Sequence, residues 1–227
     1  MEIDFFSLKR SGQHAIINWL CSQNKPSVHY NACNIKTREP RSEIIQYTSK
    51  WFKTVKTVMK KEEFSCPEKL KLIVRNFEGE RVKIYKKSNA IPVIILREPR
   101  NWLASKYKLI PDQLFNNGKI TKFTLNIRKE MELWKKHAQS DVYTIFFDEW
   151  FQNKEYRKSI CKYFGLKFND KGLNDVFGHG KSGFDDFYYD GKAQHMNILN
   201  RWKHYEIQIK SMIDPEMIEI WNQKISK

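Results

Sequence analysis

Two short segments of the chain carry residue types that hold anions. In the first, Lys9-Arg-Ser-Gly-Gln-His14, two cations, a hydroxyl and a glycine lie between an apolar run (Phe5, Phe6, Leu8) and one with helical spacing (Ile16, Ile17, Trp19, Leu20). A strand that feeds a compact turn and then a helix aims several backbone N–H groups and the positive end of the helix dipole at one spot, which suits phosphate. Gly12 permits close approach of the backbone, and Lys9 and Arg10 add full positive charge. The segment lacks the GxxxxGK[ST] of a Walker A loop: its helix opens with Gln13, His14 and Ala15, where a magnesium-holding Ser or Thr would follow Lys. That argues against an ordinary ATPase or kinase. Taken alone, the segment fits a basic turn without a ligand equally well.

The second segment is Leu96-Arg-Glu-Pro-Arg-Asn-Trp-Leu-Ala-Ser-Lys-Tyr107. It follows a continuous apolar, β-branched run over 92–96, the pattern of a strand buried on both faces of a parallel sheet. Arg97 then sits at the strand's carboxyl end, and Ser105 lies one to two turns into the next helix, on the face that carries Asn101. Ligands of open α/β sheets bind outside the carboxyl ends of the strands, so both segments are expected on one edge. There Arg97 can clamp a phosphate through two parallel N–H groups while Ser105 adds a hydroxyl.

The elements that must position these residues alternate. Apolar periodicity and breakers predict a strand over 3–8, a helix over 14–22, a second strand over 70–74, the buried strand over 92–96 and a helix running to 108. A helix over 121–138, a strand over 142–147 and a helix over 153–164 follow. Residues 42–61 have a helical pattern, with Trp51, Phe52, Val55, Val58 and Met59 on one side and Lys50, Lys53, Lys56 and Lys60 spread over the other. Five of the nine glycines (Gly172, Gly178, Gly180, Gly183, Gly191) fall in one stretch, read as a lid-like loop over about 172–196. Helices resume over 198–212 and, after Asp214-Pro215, over 216–224. The expected architecture is α/β in three layers, a central parallel sheet flanked by helices, in a single domain spanning 1–227.

The chain has 227 residues, 41% hydrophobic and 14% aromatic, which excludes a disordered protein. No run approaches the length of a membrane span, and the opening residues lack the basic-then-apolar order of a secretory signal. The four cysteines, Cys21, Cys33, Cys66 and Cys161, form no CxxC pair, so neither a zinc knuckle nor a redox motif is expected. A cytoplasmic protein with reduced thiols is the expectation. The 41 Lys and Arg against 26 Asp and Glu give a formal net charge of +15, which calls for an anionic partner without choosing between nucleic acid, a phosphorylated cofactor and an acidic glycan.

With these segments in view, the sequence resembles the sulfotransferases that use 3'-phosphoadenosine 5'-phosphosulfate (PAPS). Lys9-Arg-Ser-Gly-Gln-His14 looks like that family's 5'-phosphosulfate loop, and Ile95-Leu-Arg-Glu-Pro-Arg-Asn-Trp-Leu-Ala-Ser105 like its 3'-phosphate motif. Ile145-Phe-Phe-Asp-Glu-Trp150 is similar to the family's strand ending in an acidic pair, and Asn200-Arg-Trp-Lys203 to its C-terminal Arg-Trp helix. The departures are Arg10 in place of the Lys of the best-known cytosolic members, Gln13 and His14 in place of hydroxyl residues, and a missing Arg-Lys-Gly signature. They point to a bacterial or viral relative rather than the animal cytosolic type.

The resemblance implies PAPS as co-substrate, adenosine 3',5'-bisphosphate as product and no metal. It implies cofactor binding by Lys9, Arg10, Ser11, Gly12, Gln13, His14, Ala15, Arg97 and Ser105, with Lys192 or the 181–183 segment replacing the missing signature. Sulfuryl transfer needs an in-line acceptor and neutralisation of charge on the leaving phosphate, a task for Arg10 and the loop amides. The family's base lies near the end of the strand between the two motifs. Here that region holds Glu78 and Glu80, with His14 in the loop as a third candidate. The expected acceptor is a hydroxyl or amine, on a carbohydrate rather than a hydrophobic phenol. The alternatives are a magnesium-dependent nucleotide or small-molecule kinase with a degenerate P-loop and, third, a nucleic-acid-binding protein, for which no recognised module is present.

Overall fold

The computed structural model describes residues 1–40, 44–50, 53–59, 70–82, 88–108, 122–173, 193 and 196–226. Its framework is a seven-stranded sheet: β1 (Glu2–Ser7), β2 (Ser27–Tyr30), β3 (Ile44–Lys50), β4 (Lys53–Met59), β5 (Leu72–Glu78), β6 (Ile91–Leu96) and β7 (Thr144–Phe146), in the order β4-β3-β2-β5-β1-β6-β7. β2, β5, β1, β6 and β7 are parallel, and β3 and β4 add an antiparallel hairpin at the β2 edge. The helices are α1 (Gln13–Gln23), α2 (Pro99–Tyr107), α3 (Lys122–Ala138), α4 (Phe147–Gln152), α5 (Lys154–Tyr163), α6 (Glu206–Met212) and α7 (Pro215–Ile225), with a 3-10 segment over Ile198–Tyr205.

Both faces of the sheet are covered. Alternate residues of β1 divide between two cores: Ile3 and Phe5 join α1, α4 and α5 on one side, while Phe6 joins α2, α3 and α7 on the other. β6 contributes Val93 and Ile95 to the first core and Ile94 and Leu96 to the second. Trp19, Trp102, Trp134 and Trp150 are fully buried; each large apolar side chain so placed contributes roughly 1.5–3 kcal/mol. The three-layer α/β class is thus the one expected, with the buried strand over 92–96 and the helix start at Asp214-Pro215 where the sequence puts them. Asp214 accepts a hydrogen bond from the Glu216 N–H at 3.0 Å, with Pro215 in the first turn.

Four expectations are corrected. The predicted helix over 42–61 is the β3-β4 hairpin, in which Ile44 pairs with Met59 and Lys50 with Lys53. Its apolar residues do recur at helical spacing, but Ile44, Ile45, Thr48, Thr54, Val55, Thr57 and Val58 are β-branched, and their preference for a pleated surface prevails. The hairpin also makes the sheet mixed rather than wholly parallel. The strand expected over 70–74 starts at Leu72 and runs on to Glu78. The helix expected over 198–212 opens as a 3-10 segment kinked at Asn200, because the Ile198 and Leu199 carbonyls are turned away to accept from Arg97 and Asn101. β2 was not expected at all: Ser27-Val-His-Tyr30 is short and polar, and it is buried through side chains such as Ser27, whose hydroxyl donates to the Cys21 carbonyl at 2.8 Å.

Cys21, Cys33 and Cys161 are buried free thiols, and Cys66 lies outside the described residues. Burial pushes the Cys33 thiol up to about 12 and that of Cys161 to about 11, so neither is a thiolate at neutral pH. Among the described residues no helix is long and apolar enough to cross a membrane.

The exit of β5 is tied down from α3. The His137 ring Nε2 lies 3.0 Å from the Glu80 carbonyl, which only accepts, so Nε2 carries the proton. Burial lowers the His137 pKa to about 4, whereas an unfolded histidine titrates near 6.5. Below pH ~6.5 the unfolded chain therefore takes up a proton that the folded protein refuses until about pH 4. The His137 contribution is complete above pH ~6.5 and is lost as pH falls towards 4, at about 1.4 kcal/mol per pH unit or roughly 3 kcal/mol in all. Urea unfolding of wild type and His137→Gln at pH 7.5 and 4.5 checks this. Gln keeps a donor but does not titrate, so the variant should retain about 2–3 kcal/mol more of its neutral-pH stability at the lower pH.

Candidate functional site

Strand order places both anion-binding segments at the carboxyl edge. β1 lies between β5 and β6, and the chain leaves it for α1 and β2 on one side and later returns for β6 on the other. That reversal opens a crevice above β1, the place where open α/β sheets bind ligands. The turn from Leu8 to Gly12 fills the floor of this crevice. Arg10 and Gly12 both take left-handed backbone conformations, at φ 73° and 84°. Together they fold the chain so tightly that the Ser11 N–H donates to the Leu8 carbonyl at 3.2 Å.

α1 opens without a side-chain cap, so the amides of its first turn keep the positive end of the helix dipole directed at the crevice. The Ala15 N–H donates back to the Gly12 carbonyl at 3.0 Å, which sets it apart from the amides at the helix opening itself. The Phe147 ring roofs the turn: a Cβ on Gly12 would lie 2.2 Å from its Cδ2.

Arg97, at the end of β6, joins this turn to α2 and the C-terminal part. Arg97 is 3% exposed. Nη1 donates to the Ser105 hydroxyl at 3.0 Å and to the Arg10 carbonyl at 3.3 Å, and Nη2 donates to the Ile198 carbonyl at 2.9 Å. Among the described residues, buried Nε has no hydrogen-bond partner. Phe147 packs against the guanidinium, whose carbon is 5.1 Å from the ring centroid. Burial lowers the Arg97 pKa to about 10, with Asp148 and Glu98 opposing the shift, so the group remains cationic at neutral pH.

The surroundings of Arg97 are held by side chains at the start of α2. Pro99 opens that helix and Glu98 caps it, accepting from the Asn101 N–H at 2.7 Å. Glu98 in turn gives its own N–H to Asp148 at 2.8 Å. Burial pushes the Asp148 carboxyl up and the Arg97 charge counteracts it. Asn101 donates to the Leu199 carbonyl at 2.7 Å, and the indoles of Trp102 and Trp134 donate to the carbonyls of Lys9 and Arg97 at 3.0 and 3.2 Å.

Glu78 closes the other side of the crevice. It ends β5 opposite Ser7, and its carboxylate accepts from the Gln13 amide, whose oxygen accepts from the Ser11 hydroxyl at 3.0 Å. Arg10, half-buried, interacts electrostatically with Glu78, although burial is the larger effect on Arg10 and lowers its pKa. Glu80 is carried past the strand end, its carbonyl held by His137. His14 is directed towards β2: its Nε2 lies 3.0 Å from the Asn31 Oδ1, and its ring is 5.9 Å from that of His29.

The structure therefore brings Lys9 to His14, Arg97, Ser105 and Glu78 to one edge, with Lys9 exposed there. Lys192 and residues 181–183 lie outside the described residues. Sequence reasoning missed Phe147, which touches both Gly12 and Arg97, and the Gln13–Glu78 tie. Neither has a local signal, because the partners are separated by dozens of residues in the chain.

No family model and no curated protein matches the chain. Among solved structures it is similar to a mouse sulfotransferase, SULT7A1, complexed with PAP: 12% identity, over 90% of this chain and 88% of that one, TM-score 0.43. A retinol dehydratase in complex with androsterone and the inactive cofactor PAP is also similar, with 14% identity, 71% of this chain and 54% of that one covered, and a TM-score of 0.30.

The contact between Gly12 and Phe147 yields a stability prediction. Gly12→Ala must displace the ring and hold alanine at positive φ, which together should cost about 2–4 kcal/mol in chemical denaturation. Adding Phe147→Ala removes the clash but not the backbone strain, so the double variant should be at least about 1 kcal/mol more stable than additivity allows.

Proposed function

We propose that the chain is a PAPS-dependent sulfotransferase, transferring the sulfuryl group to a hydroxyl or amine of a carbohydrate acceptor. The observation that carries this reading is the buried contact of Arg97 with Ser105 and with the Arg10 carbonyl. It unites two anion-binding segments into one site suited to a ligand with two separated anionic groups. In this reading Arg97 and Ser105 hold the 3'-phosphate. Nε of Arg97, which is buried without a partner among the described residues at a cost of roughly 1–3 kcal/mol, gains one in the complex. The turn from Lys9 to His14 and the opening amides of α1 hold the 5'-phosphosulfate.

Transfer then proceeds in line. The acceptor oxygen forms a bond to sulfur as the bond from sulfur to the 5'-phosphate oxygen breaks, and the acceptor's proton passes to a carboxylate. Charge accumulates on the leaving phosphate, where Arg10 and the loop amides meet it. Glu78 is the favoured base because it lies beside the loop and is oriented by Gln13, whereas the Glu80 segment is drawn towards α3 and His14 faces Asn31. The scheme routes no step through a metal. A segment around Lys192 would close over the 3'-phosphate, and buried free thiols suit a cytoplasmic setting.

Two measurements test the reading. Adenosine 3',5'-bisphosphate should raise the melting temperature without added metal, by the equivalent of about 2.7 kcal/mol at a hundred times its dissociation constant, and adenosine 5'-phosphate far less. Ser105→Ala should weaken that binding about 2- to 10-fold. Equal stabilisation by both nucleotides, or a requirement for magnesium with ATP, would overturn the assignment. In steady-state kinetics, Glu78→Gln should lower turnover by about 10²- to 10⁴-fold with affinity for the bisphosphate nearly unchanged. Arg10→Ala should likewise act mainly on turnover, because the charge it meets grows in the transition state.

A further inference from the structure

Beside Glu78, on the side of the crevice away from Arg97, the chain encloses a cleft of about 770 Å³. One wall is Gly79 to Val82, directly after β5. The others are the segment after β2, at Ile35 and Lys36, and the α3 face that presents Lys129 and Lys136. The Cys33 N–H donates to the Asn76 carbonyl at 2.7 Å, which fixes the β2 exit against the end of β5, and the His137 contact with the Glu80 carbonyl fixes α3 to the third wall. The cleft is thus built from three anchored segments and starts one residue beyond Glu78.

Its charge is predominantly positive, four cations against the two acids Glu80 and Glu132. Lys36, Arg81, Lys129 and Lys136 line it and are all exposed, and among the described residues none of the four is in an ion pair. Of the two acids in the lining, Glu80 and Glu132, the second is engaged by Lys135 at 2.8 Å. Lys135 itself is held by Asp214 and Glu216, so it does not turn into the cleft as a further cation. Cations gathered in excess of acids repel one another, and a polyanion relieves that repulsion. Among the described residues the lining contains no aromatic ring, so they offer no stacking platform for nucleobases or for a phenol. What it offers is ammonium and guanidinium groups around an aliphatic floor of Ile35, Val82 and Leu133, and those groups suit carboxylate or sulfate groups on a flexible saccharide.

We propose that this cleft is the acceptor site and that it takes an acidic oligosaccharide, one bearing uronate or sulfate groups, with the hydroxyl to be modified delivered to Glu78. The proposal rests on the sulfotransferase reading for its reaction but not for its binding, and the test separates the two. The probes are a uronate-containing hexasaccharide, the same chain with its carboxyl groups reduced to alcohols, and a single-stranded oligonucleotide of similar charge. Binding is measured by calorimetry on the full-length protein saturated with adenosine 3',5'-bisphosphate.

The acidic hexasaccharide should bind at least 10-fold more tightly than its reduced counterpart and more tightly than the oligonucleotide, with affinity falling as salt rises. Lys129→Gln/Lys136→Gln should weaken saccharide binding about 10-fold or more while leaving affinity for the bisphosphate unchanged, and Lys36→Gln/Arg81→Gln should do the same from the opposite walls. Equal binding of the acidic and reduced chains overturns the proposal, as does preference for the oligonucleotide or indifference to both double variants. If the saccharide binds as expected but PAPS gives no sulfated product, the cleft assignment stands and the sulfotransferase reading fails. If a neutral acceptor is sulfated with a KM that neither double variant changes, the sulfotransferase reading stands and the cleft assignment fails.

Discussion

The structure depends on one buried charge. Arg97 is removed from water, yet among the described residues it has no direct salt bridge; its hydrogen bonds go to two main-chain carbonyls and a hydroxyl. An ion taken from water into a protein interior loses several kcal/mol of solvation, which has to be offset by groups oriented before it arrives. Here those groups come from the turn after β1, from α2 and from the 3-10 segment, so the site exists only once distant parts of the chain have docked. The kink at Asn200 belongs to the same requirement, since a regular helix would use the carbonyls of Ile198 and Leu199 internally.

Compensation by dipoles differs in its consequence from compensation by a carboxylate. Asp148 is near enough to stabilise the cation, but its oxygen is committed to the Glu98 N–H, and Glu98 is committed to Asn101 and Arg100. The acids around Arg97 hold the main chain in place and, without a direct ion pair, offset part of the cost of burying its charge. Arg10 and the open end of α1 add positive charge and dipole to the crevice.

Legibility from sequence divides along the same physical line. Contacts between near neighbours in the chain could be read: the strand, turn and helix at the N-terminus, Arg97 at a strand end, Ser105 on the Asn101 face, the start at Asp214-Pro215. The elements misjudged are those in which long-range pairing overrides local pattern. The 42–61 segment has helical spacing but β-branched composition, and pairing across the hairpin decides between them. β2 is four residues long and gains its place by pairing with β3 and β5. The roof that Phe147 forms over Gly12 cannot be inferred from either neighbourhood, because nothing in the 145–150 pattern says which loop it will cover.

The strand order also lays the site out along a line. β6 carries Arg97, β1 the turn, and β5 Glu78, and these three strands are neighbours in the order β5-β1-β6. Adjacent strands are about 4.8 Å apart, so the ends of β6 and β5 are separated by roughly 10 Å, with the turn between them. A nucleotide with anionic groups at both ends of its ribose can bridge the first half of that span, leaving its reactive group above the turn and facing β5. Beyond Glu78 the same line continues into the cationic cleft between the β5 exit and α3. In the proposed reading, donor and acceptor approach from opposite sides of β1, the arrangement an in-line displacement requires. The crossover that takes the chain from β1 to β2 leaves room for β5 beside β1, and so sets the turn between the ends of β6 and β5 before any side chain is considered.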